Sequence, residues 1–292
     1  MLVTLWGIGR VLLVAYAVVC VIGMLLHRKF IYMPTPLRPG VGPGISLISD
    51  GVRLRITTRF PERVVAAAER GELAPPGGLA EPGEPGDRAD NPGQGALTAG
   101  AVIYFGGNAE EVDRSADDYA AAFPQHAIYL MNYRGYGGSQ GSPSEAALHR
   151  DAAALYEYVA SRHGSIVVIG RSLGSGVAVR LAVSNRVDRL ILITPFDSIV
   201  NVARGLFPFL PLGMLMRDRY DSYRYAPRVA VRTLVLAAEH DEIIPPPLTD
   251  ALCRAFSPER LSRVTIEGAD HNDVSQSPNY WRAVREFVAQ TP

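Results

Sequence analysis

Ser172 stands in Gly170-Arg171-Ser172-Leu173-Gly174, directly after the apolar run Ile166 to Ile169 and at the mouth of a helix-period segment over 174 to 184. A Gly-x-Ser-x-Gly turn between a strand and a helix is so sharp that a side chain at either glycine would strike a neighbouring element. The serine is left strained and exposed, as an acyl-transfer nucleophile must be, and the adjoining helix N-terminus favours negative charge developing beside it. Serine before a helix is also a common N-cap, so the pentapeptide alone leaves both roles open. Residues farther along the chain separate them. A hydroxyl needs a base to take its proton and an acid to hold that base in the right tautomer. Leu234-Val-Leu-Ala-Ala-Glu-His-Asp241 places acids just past one apolar run, and Val264-Thr-Ile-Glu-Gly-Ala-Asp-His271 places a histidine just past the next. Nucleophile, acid and histidine in this order, each after a strand, point to Ser172 as nucleophile, His271 as general base and Asp241 as the orienting acid. Asp241 is preferred to Glu239, which continues its strand, and to Glu242. The other histidines sit beside the N-terminal apolar run (His27), ahead of a strand (His126), in or at the end of a helix (His149, His163) or next to the acid (His240).

A tetrahedral intermediate also needs donors for its oxyanion. Phe105-Gly106-Gly107-Asn108-Ala109 closes the run 101 to 105, so the backbone N–H groups of Asn108 and Leu173 are the expected pair, although a plain glycine-rich turn has the same composition. The elements that must hold these residues are legible as an alternation. Apolar runs at 101–105, 127–131, 166–169, 190–193, 234–237 and 263–266 are separated by helix-period stretches near 110–122, 144–162, 174–184, 246–256 and 278–289. Such alternation predicts a mostly parallel sheet with helices on both faces. Two extended segments joined at Asp50-Gly51, within 45–60, predict an antiparallel hairpin ahead of it. With the serine elbow, this predicts an α/β-hydrolase fold for residues 30–292, with a short cap at 195–226.

The 292 residues are 48% apolar, enough for one large core. Acidic and basic residues balance at 29 each, which gives no field for nucleic acid, and Cys20 and Cys253 lack the neighbours of a metal or redox site. Neither metal nor organic cofactor is implied. Residues 11–26 are uninterrupted apolar, close to the roughly 20 needed to cross a bilayer, so residues 1–29 are expected to be a single-pass membrane anchor. A cleaved signal is the lesser reading, because Ala15-Tyr16-Ala17 falls inside the run rather than after it. Counted by basic side chains, Arg28 and Lys29 against Arg10 lean by one charge toward a cytoplasmic body, and the amino terminus beside Arg10 offsets it, which leaves the side open. Residues 71–100 hold five prolines and eight glycines with few large apolar side chains, the composition of a disordered insertion. Residues 205–216 are apolar and are read first as core packing, with an acyl-chain site as the alternative.

Several motifs together resemble a known family. Gly-Gly-Asn-Ala-Glu110, Asn132-Tyr-Arg-Gly-Tyr-Gly-Gly-Ser139 with Gly141-Ser-Pro-Ser-Glu145, Gly-Arg-Ser-Leu-Gly-Ser-Gly176, Phe30-Ile-Tyr-Met-Pro34, Asp218-Arg-Tyr-Asp-Ser222 and Asp241-Glu-Ile-Ile-Pro245 resemble the membrane-anchored serine hydrolases related to yeast Bem46 and to the ABHD13 and ABHD17 groups. The resemblance covers residues 28–289 outside the insertion. It implies Ser172, Asp241 and His271 as the catalytic triad and Asn108 and Leu173 as the oxyanion positions. Gly106 departs from it, standing where relatives usually carry His. The implied activity is hydrolysis of an acyl ester or thioester in a small molecule, a lipid or an acylated protein. A peptidase on the same fold and a non-catalytic membrane-tethered scaffold are the alternatives, and the intact triad speaks against the scaffold.

Overall fold

A computed structural model describes residues 2–42, 44–70 and 100–290 of the chain. In chain order the elements are α1 (Leu2–Ile31), β1 (Gly44–Ser49), β2 (Val52–Arg59), α2 (Glu62–Glu69), β3 (Gly100–Phe105), α3 (Ala116–Ala122), β4 (His126–Met131), α4 (Glu145–Ala160), β5 (Ile166–Arg171) and α5 (Leu173–Ser184). They continue with β6 (Arg189–Ile193), α6 (Ile199–Leu206), α7 (Leu212–Leu215), α8 (Ser222–Tyr225), β7 (Thr233–Ala238), α9 (Pro246–Ala255), β8 (Leu261–Ile266) and α10 (Pro278–Ala289). The eight strands form one sheet in the order β1-β2-β4-β3-β5-β6-β7-β8. β1 and β2 pair antiparallel around Asp50-Gly51 and β2 runs antiparallel to β4, while β4, β3 and β5 through β8 are all parallel.

Alternation along the strands divides the core. In β3, Ala101, Ile103 and Phe105 face a layer that includes Leu148 and Leu155 of α4, Val177 of α5 and Leu252 of α9. Val102 and Tyr104 face the opposite layer, with Ala116 and Tyr119 of α3 and Tyr280, Val284 and Phe287 of α10. Both faces are therefore covered, which is why the central strands read as continuous apolar runs. β3 lies between β4 and β5, so the direction of strand order reverses there. Crevices outside the carboxyl ends of strands at such a point are where this architecture binds ligands.

Three details go beyond the expectations or differ from them. The helix expected from residue 110 begins only at Ala116, after a 3-10 turn over Val112–Ser115, because Glu110 turns back to take the Gly107 N–H. α2 was not foreseen; Pro61 starts it and Val64 is its buried contact. The insertion expected over 71–100 lies outside the described residues up to 99, but Gly100 is the buried first residue of β3.

Candidate active site

The turn at Ser172 follows directly from its glycines. A Cβ on Gly174 would lie 2.0 Å from the Phe105 carbonyl oxygen, and one on Gly170 would lie 2.4 Å from the Gly174 carbonyl oxygen. Only bare backbone lets α5 start this close to the ends of β3 and β5. Ser172 is held at φ 48° and ψ −115°, a conformation that costs a non-glycine residue on the order of 1–3 kcal/mol and persists only where surroundings enforce it. Its side chain caps no helix N–H. The N-cap alternative is thereby set aside, and the hydroxyl is left for another partner.

That partner is His271. The Ser172 Oγ and His271 Nε2 are 3.0 Å apart, and His271 Nδ1 lies 2.9 and 3.0 Å from the two carboxylate oxygens of Asp241. His271 and Asp241 are buried. The Asp241 Oδ1 also accepts the N–H groups of Ile243 and Ile244, at 3.1 and 2.7 Å, so the carboxylate is fixed by its own loop. Glu239 is exposed just past β7 and its Oε2 accepts the Gly268 N–H at 2.8 Å, while Glu242 is exposed. Both stand apart from the imidazole.

The loop after β3 approaches the serine from the other side. A Cβ on Gly107 would come 3.5 Å from that of Ser172. Asn108 is half-buried in this loop, and its side chain holds the loop in place: Oδ1 accepts from the Tyr136 hydroxyl at 2.8 Å and from the Met33 N–H at 2.8 Å. Leu173 opens α5 beside it. The two residues expected to donate to an oxyanion thus flank Ser172.

Residues that sequence reasoning missed clamp these pieces together. Arg171, the residue before the serine, donates to Glu110 Oε2 at 3.0 Å and to the carbonyl of His271 at 3.1 Å. Glu110 in turn accepts the Gly107 N–H and the Tyr104 hydroxyl, each at 2.6 Å. Burial, and then the Glu110 charge, push the Tyr104 phenol well above its usual range, so it stays a donor. One guanidinium–carboxylate pair therefore ties the serine turn, the loop after β3 and the histidine loop. The motif 132–139 supports the same loop from behind: Tyr133 donates to the Gly106 carbonyl at 2.8 Å and Arg134 forms a two-pronged pair with Asp151, both contacts at 2.7 Å. Glu110 and Tyr133 stood in motifs already singled out, but only the fold showed what they touch.

The segment after α1 belongs to the same framework. Arg28 pairs with Asp218 at 2.9 Å, Tyr32 donates to Asp218 at 3.0 Å, and the Tyr32 and Tyr220 hydroxyls lie 2.9 Å apart. An open depression lined by Phe123, His126, Val167 and Asp188 is at the amino ends of the parallel strands, away from Ser172.

Comparison with known proteins bears on the family and the fold. Residues 97–212 match the family described as serine aminopeptidase, S33. An uncharacterized protein of Mycobacterium tuberculosis is 35% identical over 199 residues, covering 65% of this chain and 70% of that protein. The protein bem46 of Schizosaccharomyces pombe is 31% identical over 175 residues, covering 56% of this chain and 58% of its own. Est1E of Butyrivibrio proteoclasticus, solved with ferulic acid, superposes with a TM-score of 0.60 over 84% of this chain and 97% of its own; at 16% identity the likeness is one of fold. On its fold and these relatives, the chain belongs to the Bem46-like family of α/β-hydrolases.

Proposed function

We propose that the protein is a serine hydrolase that cleaves an acyl ester or thioester through an acyl-enzyme, held at a membrane by α1. The observation that carries this is the Ser172–His271–Asp241 array with its 3.0 and 2.9 Å contacts. His271 Nε2 takes the Ser172 proton as Oγ attacks the acyl carbonyl, while Asp241 accepts from Nδ1–H and stabilises the imidazolium. The backbone N–H groups of Asn108 and Leu173 receive the oxyanion, a contribution of about 3–4 kcal/mol per donor. Collapse of the tetrahedral intermediate expels the alcohol or thiol, which takes the proton from His271. Water, deprotonated by the same imidazole, then attacks the acyl-enzyme and releases the acid and Ser172.

The apolar helix over Arg10–Ile31, 22 residues with mean hydropathy 2.2, supports the membrane anchor. An aminopeptidase is the second reading, favoured by the description of the matched family. Purified full-length protein assayed against p-nitrophenyl esters of graded chain length, acyl thioesters and aminoacyl anilides tests both. Turnover of esters or thioesters that is lost in Ser172→Ala is the expected result, and turnover of anilides alone would replace it with the peptidase reading.

A further inference from the structure

The stretch Gly205 to Met216 contains no charged residue and is flanked by Arg204 and Arg217, both exposed. Its expected role as core packing holds only in part. Leu212 and Met216 are buried, but Phe209 is 88% and Met214 86% exposed, and Leu206 and Phe207 also face outward. Large apolar side chains clustered in this way mark a surface that water does not cover.

The position of the cluster indicates what does. The body-facing side of α1 runs through Tyr16, Cys20, Gly23, His27 and Ile31, spaced by four, three, four and four residues as one helix face requires. Of these, His27 and Ile31 are buried, Cys20 and Gly23 half-buried, and the Tyr16 hydroxyl donates to the Phe209 carbonyl at 2.9 Å. Fifteen residues separate Tyr16 from Ile31, about 22 Å of helix at 1.5 Å per residue. The Phe209 turn is therefore held alongside the apolar span, far from its junction with the body. Whatever surrounds α1 at Tyr16 surrounds Phe209 as well.

Much of the segment's backbone is hydrogen-bonded within the protein. Phe207, Leu210, Leu212, Met214, Leu215 and Met216 all donate their N–H within the segment or to Ala203, at 2.8–3.2 Å. Pro208 and Pro211 have no N–H to satisfy. The Phe209 carbonyl finds its donor in Tyr16, a group inside the span itself. Non-helical backbone at membrane depth is tolerated only where protein covers it, and here α1 lies along the turn.

We propose that the turn from Leu206 to Leu215 is embedded in the acyl-chain layer of the bilayer that α1 crosses, so that the hydrolase domain is seated in the membrane and not merely tethered to it. This rests on reading α1 as a membrane span. Arg204 and Arg217, at the ends of the segment, meet anionic headgroups where the chain leaves the hydrocarbon. A second copy of this chain is the rival occupant.

The test uses the full-length chain with Cys20 and Cys253 changed to Ser, carrying a single cysteine at Phe209→Cys, Met214→Cys, Val18→Cys in α1 or Glu157→Cys on the outer face of α4. Each is labelled with the fluorophore NBD and reconstituted in phosphatidylcholine–phosphatidylglycerol vesicles. Retained fluorophosphonate labelling selects folded protein. The expected result is that probes at 209 and 214, like that at 18, lose most of their emission to lipids carrying a doxyl group on the acyl chain and resist aqueous iodide. The probe at 157 should do the reverse. Iodide quenching at 209 and 214 with lipid quenching at 18 overturns this proposal and leaves the anchor standing. Shielding of 209 and 214 from both quenchers, the signature of a second copy, overturns it too. Absence of lipid quenching at 18 overturns the anchor and with it the proposal.

Discussion

Replacing Asp241 with Asn changes one atom, and the local geometry determines what that change does. Asp241 Oδ1 accepts two backbone N–H groups, from Ile243 and Ile244, and both of its oxygens face His271 Nδ1. In Asp241→Asn the carbonyl oxygen must stay on those two donors, since an NH₂ there would face N–H against N–H. The amide nitrogen is then turned toward Nδ1 and donates to it. With that nitrogen in the Oδ2 place, 2.9 Å from Nδ1 against 3.0 Å for the retained oxygen, the tautomer with Nδ1 as acceptor and the proton on Nε2 is favoured, and in that form Nε2 cannot take the Ser172 proton. The charge that stabilised imidazolium is lost as well. Wrong-tautomer replacement in a serine triad costs about 10⁴-fold in kcat, equivalent to about 5.4 kcal/mol. The assay is steady-state ester hydrolysis beside Glu239→Gln and Glu242→Gln, with melting temperature as the check on folding. Glu239 holds the Gly268 N–H in the loop leading to His271, so its variant should lose less than tenfold, and Glu242→Gln less still. A folded Asp241→Asn variant within tenfold of wild type, or an equal loss at Glu239, would refute the reasoning.

Ser172→Ala should abolish fluorophosphonate labelling while circular dichroism and melting temperature stay near wild type, because the side chain supports no helix cap. Gly174→Ala must push its Cβ off the Phe105 and Gly106 carbonyls, 2.0 and 2.7 Å away, and should destabilise by about 1–3 kcal/mol or more, read as a lowered melting temperature. Burial alone would raise the Glu145 carboxyl, but hydrogen bonds from His149 and from the N–H groups of Arg219 and Tyr220 outweigh it and hold the group below its usual range. A depressed folded pKa contributes stability that is present above the unfolded value, about 4.3, and lost as pH falls through the folded one. The melting-temperature gap between wild type and Glu145→Gln should therefore be widest near neutrality and close in acid.

The sequence by itself determined the strand-and-helix alternation, the hairpin at Asp50-Gly51 and the serine turn, because each rests on local rules. Side chains alternate every two residues in a strand, and a glycine is required where a Cβ would come within 2.0–2.4 Å of a neighbouring carbonyl oxygen, as at Gly174 and Gly170. Chain order pointed to His271 among six histidines, since it alone stands past the strand that follows the acid-bearing loop, where the order nucleophile, acid, histidine requires the base. Only the tertiary structure decided which long-range partners complete the site. Arg171 meets Glu110 61 residues away and the His271 carbonyl 100 residues away, and Asp218 meets Arg28 across 190. No periodicity encodes such separations. The same limit applies to 205–216: composition records that these residues are apolar, but which of them enter the core, as Leu212 and Met216 do, and which stand exposed beside α1, as Phe209 does next to Tyr16 193 residues earlier, is set by the fold.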